Sequence, residues 1–130
     1  MKVVLENLTK VYAGHGRKAD AKVVAVNHFH FEIPDGKLVG LLGPSGCGKS
    51  TALNLISGLE TPTEGRIYFG DVDVTDMQPE TRGVGLVFQN YALYPHLTVL
   101  KNILFPLQNL KKDKKLSKEV MLSKALEAAR

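Results

Sequence analysis

Nine residues, Gly43 to Thr51, read GPSGCGKST and constrain this chain more than any other stretch. Gly43, four residues, then Gly48, Lys49 and Ser50 spell the glycine-rich phosphate-binding loop in full. The setting agrees with the spelling. Residues 37–42 (KLVGLL) form a short apolar run of strand length ending at Gly43, and beyond Lys49 the apolar residues Ala52, Leu53, Leu55, Ile56 and Leu59 recur at helical spacing. Strand, glycine turn and helix therefore follow in the order such a loop needs.

The chemistry follows from the residue types. Gly43, Gly46 and Gly48 let the backbone close into a concave turn with its N–H groups inward, while the next helix points its positive end at the same spot. An anion belongs there. Lys49 can reach outer phosphates as a point charge, the Ser50 hydroxyl is the expected ligand of a magnesium ion bridging them, and Thr51 backs both with a hydroxyl and an amide. The plain alternative, a glycine turn before an ordinary helix, would leave the Lys49 cation where the helix dipole disfavours it.

At 130 residues and 44% apolar composition the chain suits one modest domain with an ordinary core. No apolar run approaches the roughly eighteen residues that span a bilayer, and MKVVLENLTKVY is not a leader sequence, so the expectation is a chain neither exported nor self-inserting. Cys47 is the single cysteine; no intrachain disulfide can form, and a reducing compartment is the natural home. Its place in the glycine loop reads as a small side chain at a variable position, with no catalytic role. The net charge of +4 resolves into ten basic and ten acidic residues over 1–110, and seven basic against three acidic over 111–130. The excess is a tail property. The run KKDKK (111–115) carries no interleaved aromatic residues, so it reads as a solvated segment and no nucleic-acid partner is expected.

Along the rest of the chain, 3–12 and 23–33 read as strands joined by the polar loop AGHGRKADAK. In the second strand Phe29, Phe31 and Ile33 alternate with His28, His30 and Glu32; the two histidines lack further ligands at a recognisable spacing and read as exposed. TPTEG (61–65) stops the loop helix, and IYFGDVDV predicts a hairpin turning at Gly70 and Asp71. An antiparallel β layer results. GVGLVFQ (83–89) is another short apolar run ending at Gln89. Thr98 caps a helix carrying Val99, Leu100, Ile103, Leu104 and Leu107 that Pro106 kinks or ends, and Ser117 caps a last helix with Met121, Leu122, Ala125 and Ala129.

KVY near the start, GPSGCGKST, LISGLETPTEGRI, RGVGLVFQNYALYPHLTV and KNILFPL, in that order, resemble the ATP-hydrolysing subunit of an ABC transporter over nearly the whole chain. NYALYPHLTV is similar to the branch that powers bacterial uptake of sugars and polyols. The resemblance implies an α/β P-loop NTPase fold: a mixed sheet with an antiparallel β layer and nucleotide-binding core over 1–89, then the start of a helical subdomain over 90–130. It implies ATP and Mg2+ as cofactors, bound by Tyr12, Gly43, Pro44, Ser45, Gly46, Cys47, Gly48, Lys49, Ser50, Thr51 and Gln89, with Tyr12 stacking on adenine and Ser50 and Gln89 at the metal. Gln89 would also position the attacking water, an amide being able to offer donor and acceptor without changing charge. It implies a second copy of the subunit as partner, and permease subunits docking near Tyr91, Leu93, Tyr94, Pro95, Leu97 and Val99, on the cytoplasmic face of the membrane. Read from residues alone, that last segment is equally an apolar seam between two lobes.

The family's signature, its Walker B strand with the catalytic glutamate, and its switch histidine do not occur in these 130 residues, and His96 lies in the docking segment. Phosphoryl transfer needs phosphates held, metal coordinated and water activated. Only the first is fully supplied. The expectation is the N-terminal part of a longer ATPase that, as this piece alone, binds nucleotide weakly and does not turn it over. The alternatives are a short non-hydrolysing regulatory module and an ABC-type ATPase not coupled to transport.

Overall fold

Alternating apolar and polar residues give a strand one face to bury, and an antiparallel neighbour close in sequence buries it at small entropic cost. The first part of the chain is built this way. A computed structural model describes residues 1–14, 21–110 and 114–130. Within it, β1 (Val3–Ala13), β2 (Lys22–Ile33), β3 (Glu64–Phe69) and β4 (Val72–Asp73) form one sheet in the order β2-β1-β3-β4. Every pairing is antiparallel. Phe69 pairs with Val72, so the hairpin turns on Gly70 and Asp71 as expected, with Gly70 at φ +61°.

β1 is long and irregular. Its register shifts between Leu5 and Leu8 and again up to Val11, and in this stretch Asn7 of β1 and His28 of β2 both take positive φ. Bulges of this kind bend a strand and increase its twist. Gly65 is obligatory beside the bend, since at φ +94° a Cβ would lie 2.5 Å from the carbonyl oxygens of both Glu6 and Asn7. His28 and His30 are exposed, and among the described residues no group of three or more His, Cys, Asp or Glu is placed to hold a metal ion.

One helix, α1 (Lys49–Ser57), covers the sheet. Leu55 packs with Leu5, Leu8, Val26, Ile67, Phe69 and Val74, and Phe29 and Phe31, stacked at 5.7 Å, lie against the same cluster. α1 stops earlier than the 61–65 breaker suggests. Gly58, in the left-handed region at φ +86°, returns its N–H to the Leu55 carbonyl and closes the helix. Arg82, 6% exposed, then satisfies the carbonyls left over: its Nη1 donates to Leu55 and Ile56 (2.9 and 3.0 Å), its Nε to Met77 (3.0 Å) and its Nη2 to Thr75 (3.1 Å). A cation at a helix C-terminus complements the dipole. Burial pulls the guanidinium below its ordinary pKa, and the nearby Asp76 charge partly restores it.

Two expectations are corrected. Residues 37–42, expected as a strand, are irregular, as is the apolar run at 84–88, and among the described residues the sheet is antiparallel throughout instead of mixed. The physical reason is shared: a continuous apolar run makes a strand only when neighbours pair with both edges and cover both faces. Among the described residues no strand lies hydrogen-bonded beside either segment, and Leu38 and Leu42 are fully exposed.

The described residues form two units, Met1–Leu86 and Val87–Arg130. In the second, α2 (Val99–Gln108) starts where the Thr98 hydroxyl accepts the Lys101 N–H, and α3 (Lys118–Ala128) where Ser117 accepts that of Val120. Pro106 lies inside α2, which continues for two residues beyond it. α2 and α3 lie against each other, Ala125 of α3 is buried, and Ile103 and Leu107 of α2 line one cavity with it. Residues 15–20 of the polar loop and 111–113 of the lysine run lie outside the described residues.

Candidate nucleotide site

Glycine chemistry builds the loop ahead of α1. Gly46 and Gly48 occupy φ +80° and +95°, and at Gly48 a Cβ would stand 2.5 Å from the Ala25 carbonyl of β2. Glycine alone lets the loop take that turn and lie that close to the strand. Gly48 is also the N-cap of α1 and has no side chain with which to cap it. The helix ladder begins with the Ala52 N–H donating to the Gly48 carbonyl at 2.9 Å, so the amides of Lys49, Ser50 and Thr51 stand outside it.

Those three residues, with Ser45, Gly46 and Gly48, line one open cleft of ≈ 490 Å³ whose other wall is Val23, Val24 and Ala25 of β2. Lys49 stands at its rim. Its Nζ donates to the carbonyls of Gly43 (2.6 Å) and Pro44 (2.8 Å) and touches the Cys47 Sγ at 3.4 Å. All three ammonium protons thus point into the loop. The sulfur is the weakest of the three acceptors, so an incoming anionic oxygen displaces that contact at least cost. Cys47 is exposed, and its Sγ lies where a Cβ on Gly43 would fall, 2.7 Å away. The cleft combines free helix-end amides, the three hydroxyl residues Ser45, Ser50 and Thr51 and a cation, which suits an oxyanion of high charge.

Tyr12 lies on β1 in register with Val23, a wall residue of the cleft, but does not itself line it. The Lys10 ammonium lies 5.1 Å from its ring centroid while paired with Glu60 (3.1 Å) and bonded to the Thr61 carbonyl (2.8 Å). Lys10, the 23–25 wall and Arg82 went unread in the sequence. Lys10 sits two residues before Tyr12, the spacing of one strand face, so it was legible in principle. Arg82 carries no local signal, because its partners are backbone carbonyls.

Gln89 is exposed, in a turn of the second unit where Tyr91 and Ala92 both take left-handed φ (+59° and +48°). The apolar segment beyond it divides into two kinds of residue. Tyr91 (73% exposed), Leu93 (66%) and Val99 (78%) project to solvent, whereas the Tyr94 ring packs on Phe105 of α2 at 4.6 Å and Leu97 is half-buried.

A glycine loop leading into an uncapped helix that begins Lys-Ser-Thr is the local arrangement of a P-loop fold. Residues 26–130 match the ABC transporter family, and the chain belongs to it. The chain is 46% identical over 108 residues to an sn-glycerol-3-phosphate import ATP-binding protein of Agrobacterium fabrum, covering 83% of this chain and 29% of that one. Against the maltose/maltodextrin import ATP-binding protein of Klebsiella aerogenes it is 47% identical over 106 residues, 82% of this chain and 33% of the relative. A spermidine/putrescine import ATP-binding protein of Acidothermus cellulolyticus matches 97% of the chain at 46% identity and 31% of its own length. The chain thus spans about a third of these relatives. A dimeric ATP-binding cassette in a post-hydrolysis state with ADP and Pi superimposes with a TM-score of 0.80 at 35% identity, over 96% of this chain and 54% of that one. The α/β ABC ATPase fold follows. Among the described residues no helix is long and apolar enough to cross a membrane.

Proposed function

We propose that this chain is the N-terminal part of the ATP-hydrolysing subunit of a bacterial ABC importer for sugars or related solutes, and that it binds Mg-ATP at the 43–51 loop. One observation carries the reading: the free amides of Lys49, Ser50 and Thr51 and the Lys49 ammonium border one cleft. The residues fit a nucleotide polyphosphate, since Lys49 and the helix-start residues Ser50 and Thr51 line the cleft and no carboxylate does. The amides from Gly46 to Thr51 cradle phosphate oxygens, and Lys49 trades its sulfur contact for one. Ser50 and Gln89 would hold the metal, which would supply charge neutralisation at the phosphates. Tyr12 stacks on adenine from the end of β1, and Gln89 orients the attacking water.

The core over 1–89 holds nucleotide, and 90–130 begins the helical part that meets the permease through the 91–99 segment. A second copy completes the site, and the assembly works at the cytoplasmic face of the membrane. The identities to import ATP-binding proteins support import, and the dimeric cassette supports pairing. In the full-length protein, Lys49→Ala is expected to weaken Mg-ATP binding by about 10- to 100-fold, the usual worth of one charge-assisted hydrogen bond. Calorimetry checks this. Undiminished affinity in that variant would remove the loop from the nucleotide site.

A further inference from the structure

We propose that Asn102 of α2 is the positioning residue that gives the permease-docking segment its shape, an assignment that rests on the docking reading above. One side chain holds the loop ahead of α2 at four places. The Asn102 Oδ1 accepts the Tyr94 N–H at 2.8 Å, and its Nδ2 reaches the carbonyls of Tyr94 (3.1 Å), Leu97 (3.2 Å) and Thr98 (3.0 Å), sharing two protons among three acceptors. Between Tyr94 and Thr98 the loop's own contribution among the described residues is one turn bond, Leu97 N–H to Tyr94 carbonyl at 3.0 Å, while upstream the Tyr91 N–H donates to the Phe88 carbonyl (2.9 Å) and the Ala92 N–H to the Asn90 Oδ1 (3.2 Å).

Both polar groups of the Tyr94 backbone are thus taken by one amide, as a neighbouring strand would take them. Phe105, one helical turn further along α2, holds the Tyr94 ring at 4.6 Å. Backbone and ring are therefore fixed from the same helix face, and Tyr91, Leu93 and Val99 are left to project outward. The chemistry demands an amide. Aspartate would turn a negative charge on three carbonyls, leucine would offer no polar atom, and glutamine would overshoot by a methylene. A loop held in advance does not lose its ordering entropy on binding, so affinity for a partner helix depends on the clamp without the clamp touching the partner.

The test uses the full-length ATPase subunit and its two permease subunits in nanodiscs, with Asn102→Asp, Asn102→Ser and the surface variant Tyr91→Ala/Leu93→Ala. Three quantities are read: permease affinity, Mg-ATP affinity, and hydrogen exchange at the Tyr94 and Leu97 amides. Both Asn102 variants are expected to exchange at those amides at least about tenfold faster and to bind the permease about tenfold more weakly, with Mg-ATP affinity kept within about twofold. The surface variant is expected to lose permease affinity with exchange unchanged. Parental permease affinity in the Asn102 variants beside a weakened surface variant overturns the clamp and spares the docking reading. Parental affinity in the surface variant overturns both. A parallel loss of Mg-ATP affinity in the Asn102 variants makes Asn102 a general fold residue and also overturns the assignment.

Discussion

β2 and residues 37–42 are both rich in apolar side chains and lie three residues apart, yet one is a strand of twelve residues and the other is irregular. β2 alternates. Its Phe29 and Phe31 pack against the core while His28, His30 and Glu32 face water, Val26 joins the same core across the irregular step at His28, and β1 is at hand to pair with it. The 37–42 run is apolar on both sides, so no single partner can satisfy it, and it stays open with Leu42 wholly exposed. Patterning decides which residues prefer a face, whereas pairing decides whether a strand exists.

The comparison can be broken most forcefully at the core. Leu8→Ala, at a position with no exposure, is expected to destabilise the chain by roughly 2–5 kcal/mol, while Leu42→Ser should change it by less than about 0.5 kcal/mol. Urea unfolding of the two variants side by side measures the gap. Equal losses would mean that 37–42 is packed as firmly as β1.

Gly48→Ala sharpens the boundary between the two regions, because Gly48 joins the loop to β2. Its φ of +95° and the 2.5 Å approach to the Ala25 carbonyl predict a loss of about 1–3 kcal/mol, together with weaker Mg-ATP binding. Gly46→Ala tests the alternative. Gly46 has φ +80° but open space around it, so only the backbone penalty of about 1–2 kcal/mol should appear. Thermal melts and nucleotide titrations distinguish the pair.

A smaller effect is expected where Lys10 faces Tyr12. A double-mutant cycle with Lys10→Met and Tyr12→Leu should give a coupling energy of about 0.5–1 kcal/mol, since the contact is partly exposed. Zero coupling would make the two side chains mere neighbours.

The smallest effect concerns acid. The Thr75 hydroxyl, then the Thr75 N–H, hold the Asp73 carboxyl below the usual carboxylate range. A depressed folded-state pKa contributes stability that is present above the unfolded value, near 3.9, and is lost as pH falls through the folded value. Asp73→Asn should therefore lower stability slightly at pH 7, where the charged Asp73 contributes it, and flatten the stability profile below about pH 4, where that contribution is lost in the parent. A profile of unchanged steepness below pH 4 would show that the Thr75 bonds do not discriminate between the two states.

Much of the fold was legible because its signals are local. The Gly70–Asp71 hairpin, the Thr98 and Ser117 caps and the β1–β2 pair each depend on residues within a few positions or on one strand's alternation. The glycine loop was legible for the same reason, since its donors are consecutive amides. What could not be read has its partners far along the chain. Arg82 is defined by carbonyls 26 and 27 residues earlier, and Gly65 by carbonyls of a bulge in β1. Asn102 reads as an ordinary helix polar residue until the 94–98 loop folds back onto it.

By itself, then, the order of residues determined that an anion-binding turn stands before a helix, because backbone freedom at glycine and the positive end of a helix are properties of adjacent positions. Tertiary structure alone decided which apolar runs became strands, where α1 ends and which face of the 91–99 segment points outward. Those outcomes depend on hydrogen-bond partners and burial supplied by residues distant in the chain, and no local pattern encodes them.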